Sequence, residues 1–171
     1  IGILFQLTAD LSFKPMAEGF ILSNGIGFSP DDKHLYFADS MAHTIYRFDF
    51  DLQNGTITNK ERFIAIPDND GLPDGLTVDT DGFLWVAMWD GSCINRYSPL
   101  GEKVSSIPLP IPRPTSVAFG DHDLSTLYVT SARMGLSNEQ LQQNPASGNL
   151  FAIQTPYRGL PEPFFKTNPS R

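Results

Sequence analysis

Three polar residues occupy matching positions in a repeated sequence pattern and could together bind a metal ion. They are Asn24, Asp74 and Thr115, which lie 50 and 41 residues apart. An amide oxygen, a carboxylate and a hydroxyl are oxygen ligands of the kind that a hard divalent cation prefers. The alternative is structural, because Asn and Asp before Gly are common turn formers. The residues therefore form a candidate cation site if the fold brings them together.

Other residues of the same repeats are candidates for contacting a ligand beside that site. Trp89 could stack on a sugar ring, with packing between sheets as the alternative. Arg133 could hold an anionic or polyhydroxyl ligand, with a solvated or ion-paired surface residue as the alternative. We take these two residues and Thr115 as the candidate substrate-binding residues. Asp79, which lies beside a predicted turn, is assigned to turn hydrogen bonds.

A repeat of about 40 to 50 residues predicts the elements that position these side chains. Its units contain SNGIGFSPDDKHLYFADS, PDGLTVDTDGFLWVAMWDG and PTSVAFGDHDLSTLYVTSARMG. Each has an alternating strand, a turn, a continuous apolar strand and a further strand, and an outer strand closes the first two units. Such repeats are typical of β-propeller blades. The loops before the innermost strands and after the second strands should open on one end of the channel, where Asn24, Asp74 and Thr115 should converge.

The predicted fold is all-β, a single partial β-propeller domain over residues 1–171 that supplies about three and a half four-stranded blades. Residues 1–22 are predicted to end a preceding blade, and 23–66, 73–110 and 114–165 to form successive blades. A capping box predicts a short helix at 137–143. A half ring leaves strand edges open to pairing. We therefore expect that the N-terminal half of the propeller is missing, or that the chain self-associates through its open edges.

Composition and charge exclude several classes of function. The formal net charge is −7 and no cluster of Lys and Arg occurs, which argues against nucleic-acid binding. No segment approaches the roughly 20 apolar residues that cross a bilayer. Neither a nucleic acid nor a membrane is therefore an expected partner. The single Cys93 and the lack of a visible export signal favour a cytoplasmic location.

Four segments together resemble a known protein family. They are SNGIGFSPDDKHLYFADS, LPDGLTVDTDGFLWVAMWDG, YVTSARMGLSNEQLQQNPASGNLFAI and RGLPEPFF. In order and spacing they resemble the C-terminal part of the senescence-marker-protein / gluconolactonase / luciferin-regenerating (regucalcin-like) family. The resemblance covers essentially the whole chain and implies a six-bladed propeller of roughly twice this length.

The resemblance also implies a site and an activity. In that family one divalent cation, calcium or zinc among others, is held on the channel axis by a Glu, an Asn and an Asp. Asn24 and Asp74 match the last two, whereas the Glu and the substrate-contacting Arg and Asn belong to the N-terminal half. The implied function is metal-dependent hydrolysis of a sugar-type lactone, with Asp74 as the catalytic residue that accepts a proton from water. The alternative is a non-catalytic propeller that binds a ligand or calcium.

Overall fold

The computed structural model describes residues 1–166, which form four antiparallel sheets in chain order. The first sheet consists of β1 (Gly2–Leu7) and β2 (Phe13–Phe20). The second consists of β3 (Ser23–Phe28), β4 (His34–Asp39), β5 (Thr44–Asp51) and β6 (Thr56–Ala65). The third consists of β7 (Leu72–Val78), β8 (Leu84–Trp89), β9 (Cys93–Tyr97) and β10 (Lys103–Pro108). The last consists of β11 (Pro114–Gly120), β12 (Thr126–Ser131) and β13 (Phe151–Gln154).

Within every sheet each strand pairs with the one that follows it, so the sheets are meanders. The edge strands β3, β7 and β11 contact one another in that order, which arranges the sheets side by side as the blades of a propeller. The ring of sheets is not closed. The predicted all-β propeller fold is confirmed, with two strands in the first sheet. The last sheet has three strands within the described residues, one fewer than a complete blade.

The second strand of each four-stranded sheet is buried on both faces. Leu35 to Ala38 in β4 and Leu84 to Met88 in β8 are all buried, which confirms that the continuous apolar runs are covered strands. Alternate residues of β8 face different neighbours: Leu84, Val86 and Met88 pack with the second sheet, whereas Trp85 and Ala87 pack with the last. Thr130 near the end of β12 is exposed, because the last sheet packs on the third sheet through one face.

Asp79, in the turn between β7 and β8, is the centre of a buried polar cluster. Its Oδ1 accepts hydrogen bonds from the backbone N–H groups of Asp81 and Phe83, at 3.0 and 2.9 Å. These are the predicted turn hydrogen bonds. Its Oδ2 accepts from Trp85 Nε1 at 3.0 Å and from Arg96 Nη2 at 2.8 Å. The carboxylate is fully buried, and each oxygen is therefore paired.

The chain after β12 contains the predicted helix and then returns to the third sheet. The helix α1 (Asn138–Gln143) begins with a capping box between Ser137 and Gln140, as the sequence predicted. After β13, the N–H of Thr80 donates to the carbonyl of Arg158 at 2.8 Å, and Gly159 forms an isolated bridge with Asp79. The final segment thus contacts both the third and the last sheets.

Within residues 1–166 no helix is long and apolar enough to cross a membrane. The cytoplasmic location stays a prediction.

Candidate functional site

The innermost strand of each blade is β3, β7 or β11, the edge strand that contacts the neighbouring blade. These strands begin at the end of the sheets where the second strands, β4, β8 and β12, finish. Strand pairing places Ser23 opposite Asp39, Leu72 opposite Trp89, and Pro114 opposite Ser131. We call this end, where β3, β7 and β11 begin and β4, β8 and β12 finish, the rim end. The three polar candidates each lie one or two residues into an innermost strand, so all of them lie at the rim end.

Each innermost strand has a break in its pairing register at the candidate residue. The breaks fall between Ser23 and Ile26 in β3, between Pro73 and Leu76 in β7, and between Pro114 and Ser116 in β11. An irregularity of this kind bends a strand and changes the direction of a side chain, and such features are common beside active sites. Asn24, Asp74 and Thr115 therefore have equivalent positions in three neighbouring blades.

Close contact between the innermost strands explains the glycines that follow two of the candidates. A Cβ atom at Gly25 would lie 2.6 Å from the backbone oxygen of Asp74, and one at Gly75 would lie 2.6 Å from Cα of Ser116. Both distances are shorter than van der Waals contact, so only glycine fits without movement of the backbone. The Asn-Gly and Asp-Gly pairs thus serve strand packing rather than ordinary hairpin turns.

A serine connects Asn24 with the strand that carries Asp74. Asn24 Nδ2 donates to Ser40 Oγ at 2.8 Å, and Ser40 Oγ donates to the carbonyl oxygen of Pro73 at 2.6 Å. Ser40 is buried and directly follows β4. Because the amide nitrogen of Asn24 is engaged in this way, its oxygen Oδ1 remains as the atom that can bind a cation.

The carboxylate of Asp74 has no compensating charge in the described part of the chain. Burial raises the pKa of Asp74 to about 6, although a hydrogen bond from the backbone N–H of Gly75 opposes the rise. None of the ion pairs formed within residues 1–166 includes it. A partly buried carboxylate and an amide oxygen on neighbouring innermost strands are ligands of the type that a hard cation prefers.

The pKa of Asp74 makes the stability of the cation-free protein depend on pH. An unfolded Asp has a pKa of about 3.9, so between that value and about 6 the folded state binds the proton more tightly. The stability that Asp74 contributes is complete below the pKa of the unfolded state. It is lost as the pH rises through the pKa of the folded state, about 6. After allowance for partial exposure, we expect the free energy of unfolding to fall by about 1 kcal/mol between about pH 4 and pH 7.

Urea denaturation in a chelator at several pH values measures this effect as the difference between wild type and Asp74→Asn. The Asn variant retains the shape of the side chain but has no proton to release, so the fall that Asp74 causes should be absent from it. A difference between the two proteins that does not change with pH would contradict the assignment.

Thr115 lies at the equivalent place in the last blade, but its hydroxyl is engaged. Thr115 Oγ1 and Thr130 Oγ1 are 2.7 Å apart, which joins the side chains of β11 and β12. Within residues 1–166 no cluster of three or more His, Cys, Asp or Glu side chains is placed to hold a metal ion. Asn24 and Asp74 therefore remain candidate ligands only.

The two other candidates lie at the rim end but in different surroundings. Trp89 ends β8 and is partly exposed, whereas Arg133 lies in the loop after β12 and is exposed. Sequence reasoning missed Arg113, which directly precedes β11 and whose Cζ atom lies 4.9 Å from the centre of the Trp89 ring. The sequence did contain one indication that Arg113 is unusual: it is an arginine at the repeat position where the other two units have Leu22 and Leu72.

A cavity elsewhere between the innermost strands does not contain the candidate residues. It has a volume of about 510 Å³ and is lined by the later residues of β3, β7 and β11 and by part of the final segment, including Ile26, Leu76, Val117 and Leu160. Asn24, Asp74 and Thr115 lie outside it. We therefore place the candidate site at the rim end on the grounds of its polar groups, and not in this mostly apolar cavity.

Comparison with known proteins gives consistent matches. The family described as SMP-30/Gluconolactonase/LRE-like region matches residues 1–133. The pentonolactonase of Haloferax volcanii is 37% identical over 167 residues, which is 94% of this chain and 57% of that protein. The L-arabinolactonase of Azospirillum brasilense is 37% identical over 170 residues, which is 99% of this chain and 56% of that protein.

A solved structure of a similar protein also matches this chain over about half of its own length. The calcium-binding protein regucalcin from Agrobacterium tumefaciens superposes with a TM-score of 0.87 at 30% identity, covering 91% of this chain and 53% of that one. The chain spans about half the length of the relatives that it matches.

Proposed function

Because this chain belongs to the SMP-30/gluconolactonase/LRE-like family, we propose that it provides part of the active site for metal-dependent hydrolysis of a sugar-type lactone. Relatives named pentonolactonase and L-arabinolactonase support this class of reaction. The observation that carries the proposal is the arrangement at the rim end: Asn24 is oriented by Ser40, and the carboxylate of Asp74 has no compensating charge in the described part of the chain.

We propose Asn24 Oδ1 and Asp74 as ligands of one divalent cation, calcium or zinc. The cation supplies positive charge that polarises the lactone carbonyl and acidifies the attacking water. Asn24 is a neutral ligand, so it limits the negative charge at the site and cannot act as a base. Asp74 has a second carboxylate oxygen, which can accept a proton.

Asp74 is also the proposed general base. As the oxygen of water bonds to the carbonyl carbon of the lactone, Asp74 takes a proton from that water. The bond between the carbonyl carbon and the ring oxygen then breaks, and the proton passes to the departing ring oxygen. The product is an open-chain hydroxy acid, with no other reactant consumed.

The chain provides part of this site and not all of it. We propose that residues 1–22 end one blade and that 23–66, 73–110 and 114–165 form the following blades of a six-bladed ring. The remaining cation ligand and the substrate-contacting Arg and Asn that the family resemblance implies then come from outside this sequence. Self-association through the open edges stays a prediction, which light scattering would test.

The position of Ser40 leads to a prediction about cation affinity. We expect Ser40→Ala to weaken binding of the cation about 10-fold or more, because a residue that orients a metal ligand typically contributes this much. Calorimetric titration of the wild type and the variant with CaCl₂ and with ZnCl₂ measures the difference directly.

Ser131→Ala is the matched control for this measurement. Ser131 also lies at the end of a second strand, but its hydroxyl donates to the carbonyl of Asn149 in the last blade, at 2.7 Å. Cation affinity should be unchanged in this variant. Equal affinity in wild type and Ser40→Ala would show that Asn24 does not need this support or is not a ligand.

A non-catalytic propeller that binds a ligand or calcium is the alternative function. The relative described as a calcium-binding protein favours it. Assay of lactone hydrolysis with and without a chelator separates the two proposals. Hydrolysis that the chelator stops supports the enzyme, whereas cation binding without hydrolysis of any sugar lactone by the complete propeller supports the alternative.

A further inference from the structure

Arg113 holds together three separate segments at the rim end. Its Nε donates to Asp90 Oδ1 at 2.6 Å, its Nη2 donates to Asp90 Oδ2 at 3.4 Å, and its Nη1 donates to the carbonyl oxygen of Met134. Asp90 follows β8, Met134 follows β12, and Arg113 itself precedes β11. One guanidinium group therefore fixes two neighbouring rim loops relative to an innermost strand.

Most of the Arg113 side chain is covered, although its partner Asp90 is half exposed. The side chain of Arg113 is 15% exposed, compared with 50% for Asp90. A forked contact between a guanidinium and a carboxylate fixes geometry as well as charge. Asp90 has a positive φ of 59°, a backbone conformation that few residues other than glycine adopt. The loop that directly follows Trp89 is thus held in one unusual conformation by Arg113.

The same guanidinium covers one side of the Trp89 ring. Arginine stacks well on an aromatic face, and its Cζ atom is 4.9 Å from the centre of this ring. Trp89 remains partly exposed at the rim end. The ring is therefore covered on one side by Arg113, and the residue retains part of its exposure to solvent at the rim end.

We infer that Arg113 is a positioning residue that fixes Trp89 as a stacking surface for the ring of a neutral sugar lactone. This inference rests on the proposed function and names its substrate class. A flat indole face suits the C–H face of a sugar-derived ring. Because Asp90 neutralises the charge of Arg113, the guanidinium beside Trp89 offers no free positive charge to an anionic lactone.

Steady-state kinetics of the complete propeller test the inference with D-glucono-1,5-lactone, which is neutral, and D-glucaro-1,4-lactone, which carries a carboxylate. Arg113→Met should raise KM for the neutral lactone about 10-fold and leave kcat within about twofold, since stacking and not chemistry is lost. Arg113→Lys should restore part of the loss. Asp90→Asn should improve kcat/KM for the anionic lactone, because the charge of Arg113 is then exposed.

Arg47→Met is the matched control. Arg47 also pairs with a carboxylate, that of Glu61 at 2.5 Å, and lies 4.6 Å from the centre of an aromatic ring, that of Phe63. It lies within the second sheet and away from the rim loops. KM for both lactones should be unchanged in this variant. An unchanged KM in Arg113→Met, or a loss confined to kcat, would overturn the inference.

Acrylamide quenching of tryptophan fluorescence tests the positioning role without relying on activity. Trp85 is fully buried, and comparison with Trp89→Phe in each background isolates the emission of Trp89. Quenching of Trp89 should rise about twofold in Arg113→Met, because the guanidinium no longer shields the ring. Equal quenching in both proteins would overturn the inference. If the wild type hydrolyses neither lactone, the proposed function is wrong, and the quenching result alone decides whether Arg113 positions Trp89.

Discussion

Replacing Asp74 with Asn should reduce lactone hydrolysis by the complete propeller more than about 1,000-fold, because the variant loses both an anionic cation ligand and the general base. The amide keeps the size of the side chain and removes a partly buried charge that nothing in the described chain compensates. The cation-free variant should therefore fold at least as stably as the wild type at neutral pH. Loss of activity without loss of stability distinguishes a functional role from a structural one.

Rates with D-glucono-1,5-lactone and L-arabinono-1,4-lactone, together with metal content, test this prediction. Asp70→Asn is the control: Asp70 lies four residues earlier in the chain and already pairs with Lys103 Nζ at 2.5 Å. Its activity should remain within about twofold of the wild type, as for most surface substitutions. An Asp74→Asn protein that hydrolyses lactones at the normal rate would show that neither the ligand role nor the base role belongs to Asp74.

The parts of the fold that the sequence predicted are those set by local patterns. The continuous apolar runs at Leu35 and Leu84 identified β4 and β8, because only a strand covered on both faces needs such a run. Ser137 and Gln140 identified the start of α1, because a capping box is complete within four residues. The repeat also predicted that Asn24 and Asp74 lie at one end of the sheets, since equivalent positions in meanders have equivalent places.

The parts that the sequence did not predict depend on contacts between distant residues. The strand β6 contains the exposed, polar stretch Asn59 to Glu61, which lies at a shift in the pairing register with β5, so no local apolar pattern identifies it as part of a strand. For Arg113 the repeat shows only an arginine in place of a leucine, which does not identify its partners. Its importance comes from Asp90 and Met134, which are 23 and 21 residues away in the chain.

Asp79 also depends on a residue that is distant in the chain. Sequence reasoning found its turn and missed its buried ion pair. Arg96 lies 17 residues later, and its guanidinium stacks between the rings of Phe83 and Tyr157, with Cζ at 3.7 and 3.8 Å from their centres. Tyr157 comes from the segment after β13, so the ion pair and this stacking together connect β9, the turn after β7 and that segment. Because β7 also carries Asp74, this cluster supports the strand on which the candidate site depends.

Asp79→Asn should therefore lower the free energy of unfolding by about 3 to 5 kcal/mol, since removal of one partner leaves a buried charge without compensation. The double variant Asp79→Asn, Arg96→Met should lose less than this, because it removes both charges. Urea denaturation measures both, with Glu61→Gln as the control: its pair with Arg47 is partly exposed, so its loss should be below about 1 kcal/mol. If Asp79→Asn were no less stable than Glu61→Gln, the buried ion pair would be unimportant for stability. The strand β7, which carries Asp74, would then be supported by its apolar contacts alone.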